Sequence, residues 1–538
     1  MKKLTALILI LTIIASALCA CTPQYKDPTE ENKVVKSNDK YRNYYEIFVG
    51  SFNDSDGDGT GDLKGIIEKL DYLNDGNPKT DTDLGIDGIW LTPIMPSHSY
   101  HKYDVKDYFA IDRSFGTMND FDKLVSECHK RGINIIIDLV LNHCSKFNPL
   151  FENACKQTLK GDLSHDAKYF EIEKYDSNPG DAYTEIGKNY YYESNFSPYM
   201  PEWNLYEKCT RDYFKKISKF WLKDHSVDGF RLDATKYYTS KKGDGKEFLK
   251  WFYSESKKIK PDVYMVGENW TGNSEIVDMY ESKADSFFSF GFADSSGAFV
   301  TVVRNHSSFG LVSSVEKFEK NTKNSNKNRI NAFFLSNHDQ KRSANYLKTV
   351  GLKGTKMAAA LYMLMPGNPF IYYGEEIGLT QDSSKNEDEY KREPMIWDSE
   401  KLPGIVVNNI AKADKSHAQF GGVKQQEKDK NSLLNFYKRI IKIKNQNPAI
   451  ARGTLSEYKI GDPEIAAYKV TVKDALPIYI IHNLSDSEAK EIELKTLSTL
   501  RGDLVASNDD KTDEHVVLDN NTKLKLPPYS TAVLQELP

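Results

Sequence analysis

Three carboxylate residues follow short apolar runs of the chain. Asp233 stands in the segment GFRLDA, Glu268 in GENW and Asp339 in FLSNHD. An ionised carboxylate is costly to bury unless it is paired or used. A single residue of this kind is more often a cap or a salt-bridge partner. Three of them, accompanied by Arg231, by His338 in the segment of Asp339 and by His143 in the segment DLVLNH, indicate a reactive site.

Two carboxylates that differ in protonation can cleave a glycosidic bond. One attacks or supports the anomeric carbon, and the other protonates the leaving oxygen. Arg231 lies two residues before Asp233, so both emerge on the same face of a strand. The guanidinium would then keep Asp233 ionised and oriented. Glu268 would serve as the acid if a less polar setting and neighbouring carboxylates raise its pKa.

Short apolar, β-branched runs alternate with amphipathic helical stretches over most of the chain. The predicted strands are Tyr44–Val49, Gly88–Leu91, Ile133–Leu141, Gly229–Asp233, Val263–Gly267, Ser286–Phe290, Ile330–Leu335 and Phe370–Tyr373. This alternation predicts an α/β fold, a (β/α)8 TIM barrel whose reactive groups lie at the carboxyl ends of the strands. A doubly wound sheet is the alternative, but no glycine-rich dinucleotide loop follows any predicted strand.

Two regions depart from the barrel pattern. A long stretch rich in Tyr, Asn, Pro and Gly follows the third strand and predicts a small inserted domain. After the last helix, period-two segments predict a C-terminal antiparallel β-sandwich. The predicted boundaries are 1–20 for a signal peptide, 21–40 for a lipidated cysteine and disordered tether, 41–143 and 205–447 for the two parts of the barrel, 144–204 for the inserted domain and 448–538 for the sandwich.

The N-terminus has the pattern of an export signal. Two lysines precede the apolar run Leu4–Leu18, which is short for a membrane span. The run ends in LCAC, which resembles the bacterial lipobox and predicts cleavage before Cys21 and lipidation of that residue. The alternative is an ordinary secretory signal with incidental cysteines. We therefore expect an exported protein that is lipid-anchored to the cell membrane or cell surface.

The amino-acid composition limits the kinds of partner that the protein is expected to bind. The net charge is -5 and no long basic run occurs, which argues against nucleic acid. The content of 32 Tyr and 26 Phe suits stacking on carbohydrate, although such residues more often serve packing. The cysteines at 128, 144, 155 and 209 fit no zinc pattern, and their spacing reveals no disulfide pairing. We expect a monomer.

The segments around the three carboxylates resemble the conserved regions of glycoside hydrolase family 13, the α-amylase family. The resemblance covers nearly the whole chain from about Tyr41 onward. It implies a barrel with an inserted domain after the third strand, a C-terminal β-sandwich and a retaining double displacement on α-glucans such as starch and maltooligosaccharides. It further implies that Asp233 is the nucleophile, Glu268 the general acid/base and Asp339 the carboxylate that grips the distorted sugar.

Further positions match the family's substrate contacts. The resemblance implies stacking of Tyr103 on the sugar at the cleavage subsite, hydrogen bonds from His143 and His338, and a place near the same subsite for Arg392. Two tryptophans, Trp270 and Trp203, could stack on neighbouring glucose rings, although a tryptophan is at least as often a packing residue.

Some residues depart from the family pattern and bear on the substrate. The inserted region carries MPEWN where the family usually has Pro-Asp-Leu, and Lys236 is followed by Tyr237 instead of histidine. The residue after the nucleophile is Ala234, whereas a valine accompanies α-1,6 cleavage in the related oligo-1,6-glucosidases. This favours α-1,4 bonds. The alternatives are an α-glucosidase or 4-α-glucanotransferase, or a non-catalytic glucan-binding lipoprotein, against which the intact carboxylates speak.

The segment NDSDGDGTGD, residues 53–62, concentrates aspartates among glycines. It begins like an EF-hand loop, but the twelfth loop position is Gly65 where an EF-hand needs glutamate. Closely packed carboxylates repel unless a hard cation neutralises them, which leaves an exposed turn as the alternative. The loop resembles the calcium loop of oligo-1,6-glucosidases and intermediate α-amylases. That resemblance implies a structural Ca²⁺ held by the side chains of Asp54, Asp56, Asp58 and Asp62 and the carbonyl of Thr60.

Overall fold

The computed structural model describes residues 39–240, 243–473, 475–494, 499–506, 514–518 and 523–536. The predicted signal peptide, the lipidation site Cys21 and almost all of the predicted tether lie outside these ranges. Within them, no helix is both long enough and apolar enough to cross a membrane.

Eight parallel strands form the central sheet. The strands are β1 (Tyr44–Ile47), β2 (Gly88–Leu91), β3 (Asn134–Leu139), β4 (Gly229–Leu232), β5 (Tyr264–Gly267), β6 (Ser286–Phe287), β7 (Ala332–Phe334) and β8 (Asn368–Tyr372). Each strand pairs with the next in chain order except β6 and β7, and β8 pairs with β1. A parallel bridge between Phe288 and Ala332 closes the ring between β6 and β7. The predicted barrel is confirmed, and all strands end at one rim.

Helices follow the strands and cover the outside of the barrel. The helix Met118–Lys130 shows why: Thr117 and Asp120 form a capping box, and the helix buries one stripe of apolar side chains that includes Leu124. The longer helices are Leu63–Glu68, Met118–Lys130, Lys208–Lys219, Gly245–Ile259, Asn273–Met279, Ala298–Arg304, Leu311–Ser325, Gly351–Met363 and Leu433–Gln446.

Short turns of helix complete the barrel loops. The shorter α-helices are Val49–Phe52, Leu70–Leu73, Ser343–Tyr346, Asp388–Lys391, Val423–Gln426 and Pro448–Arg452, and a π-helical turn spans Phe220–Asp224. Turns of 3-10 helix occur at Thr235–Tyr238, Tyr280–Ser282, Phe290–Phe292, Lys348–Val350, Glu375–Ile377 and Lys415–His417.

Aromatic rings pack at the amino-terminal end of the barrel. The ring of Tyr44 on β1 stacks between Phe370, at 4.7 Å, and Tyr264, at 5.2 Å. A Cβ atom at Gly88 would lie 2.6 Å from the Tyr44 ring, so β2 begins with the residue that leaves room for it. Large buried rings of this kind contribute much of the apolar surface that stabilises the fold.

The region between β3 and β4 forms a small sheet of its own. Its antiparallel strands lie in the order Ile172–Lys174, Tyr190–Glu193 and Tyr183–Gly187, beside the helix Pro149–Thr158 and the 3-10 turn His165–Tyr169. An antiparallel bridge between His143 and Glu202 returns the chain to the end of β3. The predicted insertion therefore stands beside the rim where the strands end.

The C-terminal region is antiparallel, as predicted. Its six-stranded sheet has the order Thr454–Glu457, Ile465–Thr471, Ile478–Asn483, Ser530–Glu536, Leu500–Ala506 and Glu514–Leu518. The strands Lys490–Glu493 and Lys523–Leu526 form a second, two-stranded sheet. Alternating residues such as Ile481, Ile492 and Leu524 are buried together between the two sheets.

Candidate active site

Arg231 lies at the centre of the site, on β4, and is completely buried. Its Nη1 atom donates to Oδ1 of Asp233 at 2.7 Å and to both oxygens of Asp138 at 2.9 and 3.0 Å. Its Nη2 atom lies 3.1 Å from Oε2 of Glu268. A buried cation facing three carboxylates compensates the cost of burying them, and their charges raise the pKa of Arg231 further. The two predicted reacting carboxylates thus share one guanidinium.

Glu268 follows β5 and has the pKa that an acid requires. Burial raises its pKa to about 7, Arg231 opposes the rise, and Asp233 and Asp339 add to it. Its Oε2 atom accepts a hydrogen bond at 2.9 Å from the backbone N–H of Ala234, which adopts a left-handed conformation with φ of 51°. The turn after β4 therefore orients Glu268 towards Asp233.

Asp339 follows β7 and stands between two cationic groups. Nη2 of Arg392 donates to its Oδ1 at 2.8 Å, and Nε2 of His338 lies 3.1 Å from its Oδ2. Although burial opposes it, the charge of His338 and then that of Arg392 hold the pKa of Asp339 far below its usual range. Asp339 is therefore a permanent carboxylate at the mouth of the site.

Tyr103 connects the two sides of the rim. Its hydroxyl donates to Oδ2 of Asp138 at 2.9 Å and lies 2.7 Å from Nε2 of His338. Its ring is parallel to the His338 ring, with 5.5 Å between centroids. The pKa of Tyr103 is raised well above its usual value by burial, so the phenol stays protonated.

His143 presents an unsatisfied nitrogen to the site. The residue is buried, and its Nε2 atom has no hydrogen-bond partner among the described residues. Burial lowers the pKa of His143, so the ring is neutral near pH 7. A buried polar atom without a partner is costly, and a sugar hydroxyl would satisfy it.

Aromatic side chains line the outer part of the opening. Trp270 is 47% exposed and lies parallel to Phe290 with centroids 5.2 Å apart. Phe196, from the inserted region, packs edge-on against Tyr237 at 4.8 Å, and both are exposed. For Trp203, where stacking on glucose and packing were both open, the structure shows packing: only 2% of the residue is exposed, and its ring is stacked on that of Phe170.

The aspartate loop after β1 brings three of its carboxylates together. Oxygen atoms of Asp54, Asp56 and Asp58 lie within 4.8 Å of one another. Gly57 and Gly59 have φ of 83° and 93°, a conformation that favours glycine and lets the chain wrap around the carboxylates. This donor set of carboxylate oxygens is the one that Ca²⁺ prefers.

The other two predicted metal ligands lie at the end of this loop. Asp62 caps the helix Leu63–Glu68, accepting at 2.8 Å from the backbone N–H of Gly65 and at 2.8 Å from that of Ser55. Its carboxylate is not one of the three that cluster. The backbone N–H of Thr60 donates to Oδ1 of Asp58 at 2.8 Å. Coordination by Asp62 and by the Thr60 carbonyl remains a prediction.

Two residues of the site had no role assigned from the sequence. Asp138 opens the segment DLVLNH at the end of β3, and it proves to be a partner of both Arg231 and Tyr103. Glu46 lies on β1, where its Oε1 atom is 2.5 Å from Nδ1 of His338. The signal for Glu46 is a lone charged residue within an apolar strand, YYEI, that is wholly buried.

The arrangement can perform acid and nucleophilic chemistry on a sugar. Asp233 is held by a cation, Glu268 stays protonated up to about pH 7, and Asp339 remains charged beside them. A glycoside hydrolase typically uses two carboxyl groups whose different environments allow one to be ionised while the other is protonated.

Comparison with known proteins supports this assignment. Residues 46–453 match the family model described as alpha amylase, catalytic domain. The chain is 35% identical to Alpha-amylase 3 of Dictyoglomus thermophilum over 516 residues, covering 95% of this chain and 94% of that protein. It is 28% identical to an oligo-1,6-glucosidase of Bacillus cereus, covering 79% of this chain and 87% of that one.

A solved structure gives the same result. Eubacterium rectale Amy13B superposes with a TM-score of 0.83 at 36% identity, covering 96% of this chain and all of that one. The fold and the site define a glycoside hydrolase built on a TIM barrel. The chain belongs to the α-amylase family, glycoside hydrolase family 13.

Proposed function

We propose that the protein hydrolyses α-1,4-glucosidic bonds of starch and maltooligosaccharides with retention of configuration. The observation that carries the proposal is the contact of one buried guanidinium, that of Arg231, with both Asp233 and Glu268. The guanidinium lies 2.7 Å from the Asp233 carboxylate, while burial raises the pKa of Glu268 to about 7. A nucleophile and an acid are thereby present together at neutral pH.

The reaction proceeds in two displacements. The Asp233 carboxylate attacks the anomeric carbon while Glu268 gives its proton to the leaving glycosidic oxygen, and a covalent glycosyl-enzyme forms. Glu268, now ionised, takes a proton from water, whose oxygen attacks the same carbon and releases Asp233. Both attacks invert the anomeric carbon, so the product retains the α configuration.

The remaining polar groups hold the sugar in place. Tyr103 offers its ring, and His143 and His338 offer nitrogen atoms to the sugar hydroxyls. Asp339, fixed by Arg392, accepts from hydroxyls of the distorted ring. Hydrogen bonds that strengthen as the oxocarbenium-like transition state forms lower the barrier.

The residue next to the proposed nucleophile, Ala234, supports the proposed type of bond. Ala234 leaves more room there than the valine of α-1,6-cleaving relatives, which supports α-1,4 cleavage. Because a relative named oligo-1,6-glucosidase is among the matches, assays on soluble starch, pullulan, isomaltose and maltoheptaose test the proposal. We expect shorter maltooligosaccharides from starch and maltoheptaose. Turnover of isomaltose alone would contradict the bond type, and chains longer than maltoheptaose would indicate a glucanotransferase.

We further propose that Asp54, Asp56 and Asp58 hold a structural Ca²⁺, with Asp62 and the Thr60 carbonyl as additional ligands. The ion would neutralise carboxylates that otherwise repel. The loop packs beside the rim: the carbonyl of Gly59 accepts from the backbone N–H of Val406 at 3.0 Å. A cation here would brace the segments on both sides without taking part in the chemistry.

The export and lipidation of the protein at Cys21 remain proposals. The described chain starts beside the amino-terminal ends of the strands, where Nζ of Lys40 donates to the carbonyl of Val263 at 2.6 Å and to Asp285 at 2.8 Å. This end of the barrel is opposite the catalytic rim. Labelling with a fatty-acid analogue that is lost in Cys21→Ala, together with an uncleaved precursor that accumulates in the presence of globomycin, tests the lipidation; equal labelling of Cys21→Ala would contradict it.

A further inference from the structure

Glu46 stands directly behind the substrate-contacting histidine of the site. It lies on β1, and only 1% of the residue is exposed. Its Oε1 atom is 2.5 Å from Nδ1 of His338 and 3.4 Å from the backbone nitrogen of the same residue. A buried carboxylate needs a partner of this kind, and the histidine in turn is fixed by it.

The contacts of His338 determine where its protons are. The single O–H of Tyr103 is donated to Asp138, so the 2.7 Å contact between Tyr103 and Nε2 of His338 requires a proton on that nitrogen. The 2.5 Å contact to Glu46 requires a proton on Nδ1 as well. Both nitrogens therefore donate, and the ring is an imidazolium.

Two carboxylates, one at each nitrogen, maintain this charge. Asp339 lies at Nε2 and Glu46 at Nδ1. Although burial opposes protonation, Asp339 and Glu46 raise the pKa of His338 to about 9. The titratable and charged groups around His338 and Glu46 are Tyr103, Asp138, Arg231, Asp339, Tyr372 and Arg392.

We propose that Glu46 is a positioning residue that keeps His338 doubly protonated, so that its Nε2–H is shared between the Tyr103 hydroxyl and the Asp339 carboxylate and holds both in place for the sugar. This inference rests on the proposed glycoside hydrolase function. Without the Glu46 charge, His338 would lose a proton at lower pH. If the neutral ring carries its lone pair on Nε2, that nitrogen can no longer donate to Tyr103 and repels the Asp339 carboxylate, so both lose the position in which they meet the sugar.

The test uses α-maltosyl fluoride, whose leaving group needs no proton, so that the kcat/KM profile does not depend on the acid form of Glu268. We expect the parent to lose activity only near pH 9, as His338 deprotonates. In Glu46→Gln the pH at which the alkaline loss of activity (the alkaline limb of the profile) occurs should be lower by roughly 1–3 pH units. At pH 8 the kcat/KM should therefore fall by about 2-fold for a shift of one unit and by about 100-fold for a shift of three.

Two further variants make the result decisive. Glu376→Gln is the matched control. Glu376 is also buried and accepts a hydrogen bond from Tyr45, the neighbour of Glu46 on β1, but it has no contact with His338 among the described residues. This variant should lose activity at the same alkaline pH as the parent. Glu46→Asp retains the charge on a shorter side chain and should restore the limb in part, and it replaces Glu46→Gln if that variant does not fold. Parental profiles in the folded Glu46 variants would overturn the inference. No turnover by the parent would overturn the proposed function and this inference with it.

Discussion

Arg231 lies on β4 and Asp233 directly follows that strand, and Nη1 of the arginine is 2.7 Å from Oδ1 of the aspartate. The period of a strand places both side chains on one face. The arginine is fully buried, so its charge acts on Asp233 with little screening by solvent. The contact that orients the proposed nucleophile is therefore made by a residue only two positions before it in the chain.

Replacing Arg231 by methionine should abolish turnover and weaken the fold. Asp138, Asp233 and Glu268 would lose the cation that they share. Breaking a buried ion pair from one side typically costs about 3–5 kcal/mol. Thermal melting and assays on starch measure both effects. The control Arg211→Met removes an arginine whose partner Glu247 is at the surface, and it should change neither activity nor melting by much. Equal effects of the two variants would contradict the central place of Arg231.

The pH profile on starch should fall above about pH 7. Glu268 must be protonated to give its proton to the leaving oxygen, and burial raises its pKa to about 7. The limb should disappear when kcat/KM is measured with α-maltosyl fluoride, because fluoride leaves without a proton. A limb at the same pH on both substrates would show that a group other than the acid limits the reaction.

Removal of calcium should destabilise the protein if the loop after β1 holds the ion. We expect a chelator to lower the melting temperature, and added Ca²⁺ to restore it, because a ligand that binds only the folded state stabilises it. Asp56→Asn removes one carboxylate of the cluster and should make melting less sensitive to Ca²⁺. The control Asp71→Asn changes an exposed aspartate outside the loop. If neither the chelator nor added Ca²⁺ changes the melting temperature of the parent protein, the loop is a turn that binds no ion.

Glu375 should make the fold less stable in alkaline solution. Its carboxyl group is buried behind β8, where Tyr362 and Tyr437 donate to it at 2.7 and 2.8 Å, and burial raises its pKa to about 8. The folded pKa exceeds the unfolded value of about 4.3. The stabilisation from this group is therefore complete below about pH 4.3 and is lost as the pH rises through 8.

Glu375→Gln should remove that dependence. The amide cannot ionise, so the variant should gain stability relative to the parent between pH 6 and 9 in melting experiments. Glu275→Gln, at an exposed position, is the control and should follow the parent. A difference between Glu375→Gln and the parent that stays constant with pH would contradict this account.

The barrel and its reactive carboxylates could be predicted because their signals are local. Each strand is a short apolar run; Asp233 and Glu268 come directly after one, and Asp339 lies in the loop that follows another. The role of Glu46 could not be predicted, because it depends on a histidine 292 residues away in the chain. The place of Trp203 stayed open in the sequence for the same reason: an aromatic residue can face substrate or core, and only the packing of the inserted region decides.

The nucleophile can be identified directly by trapping the covalent intermediate. In Glu268→Gln, α-maltosyl fluoride can form the glycosyl-enzyme because its leaving group needs no acid, but no base remains to activate water. The intermediate should therefore accumulate. Proteolysis and mass spectrometry should find a maltosyl ester on Asp233. An ester on another residue, or β-configured product without any adduct, would contradict the double displacement proposed here.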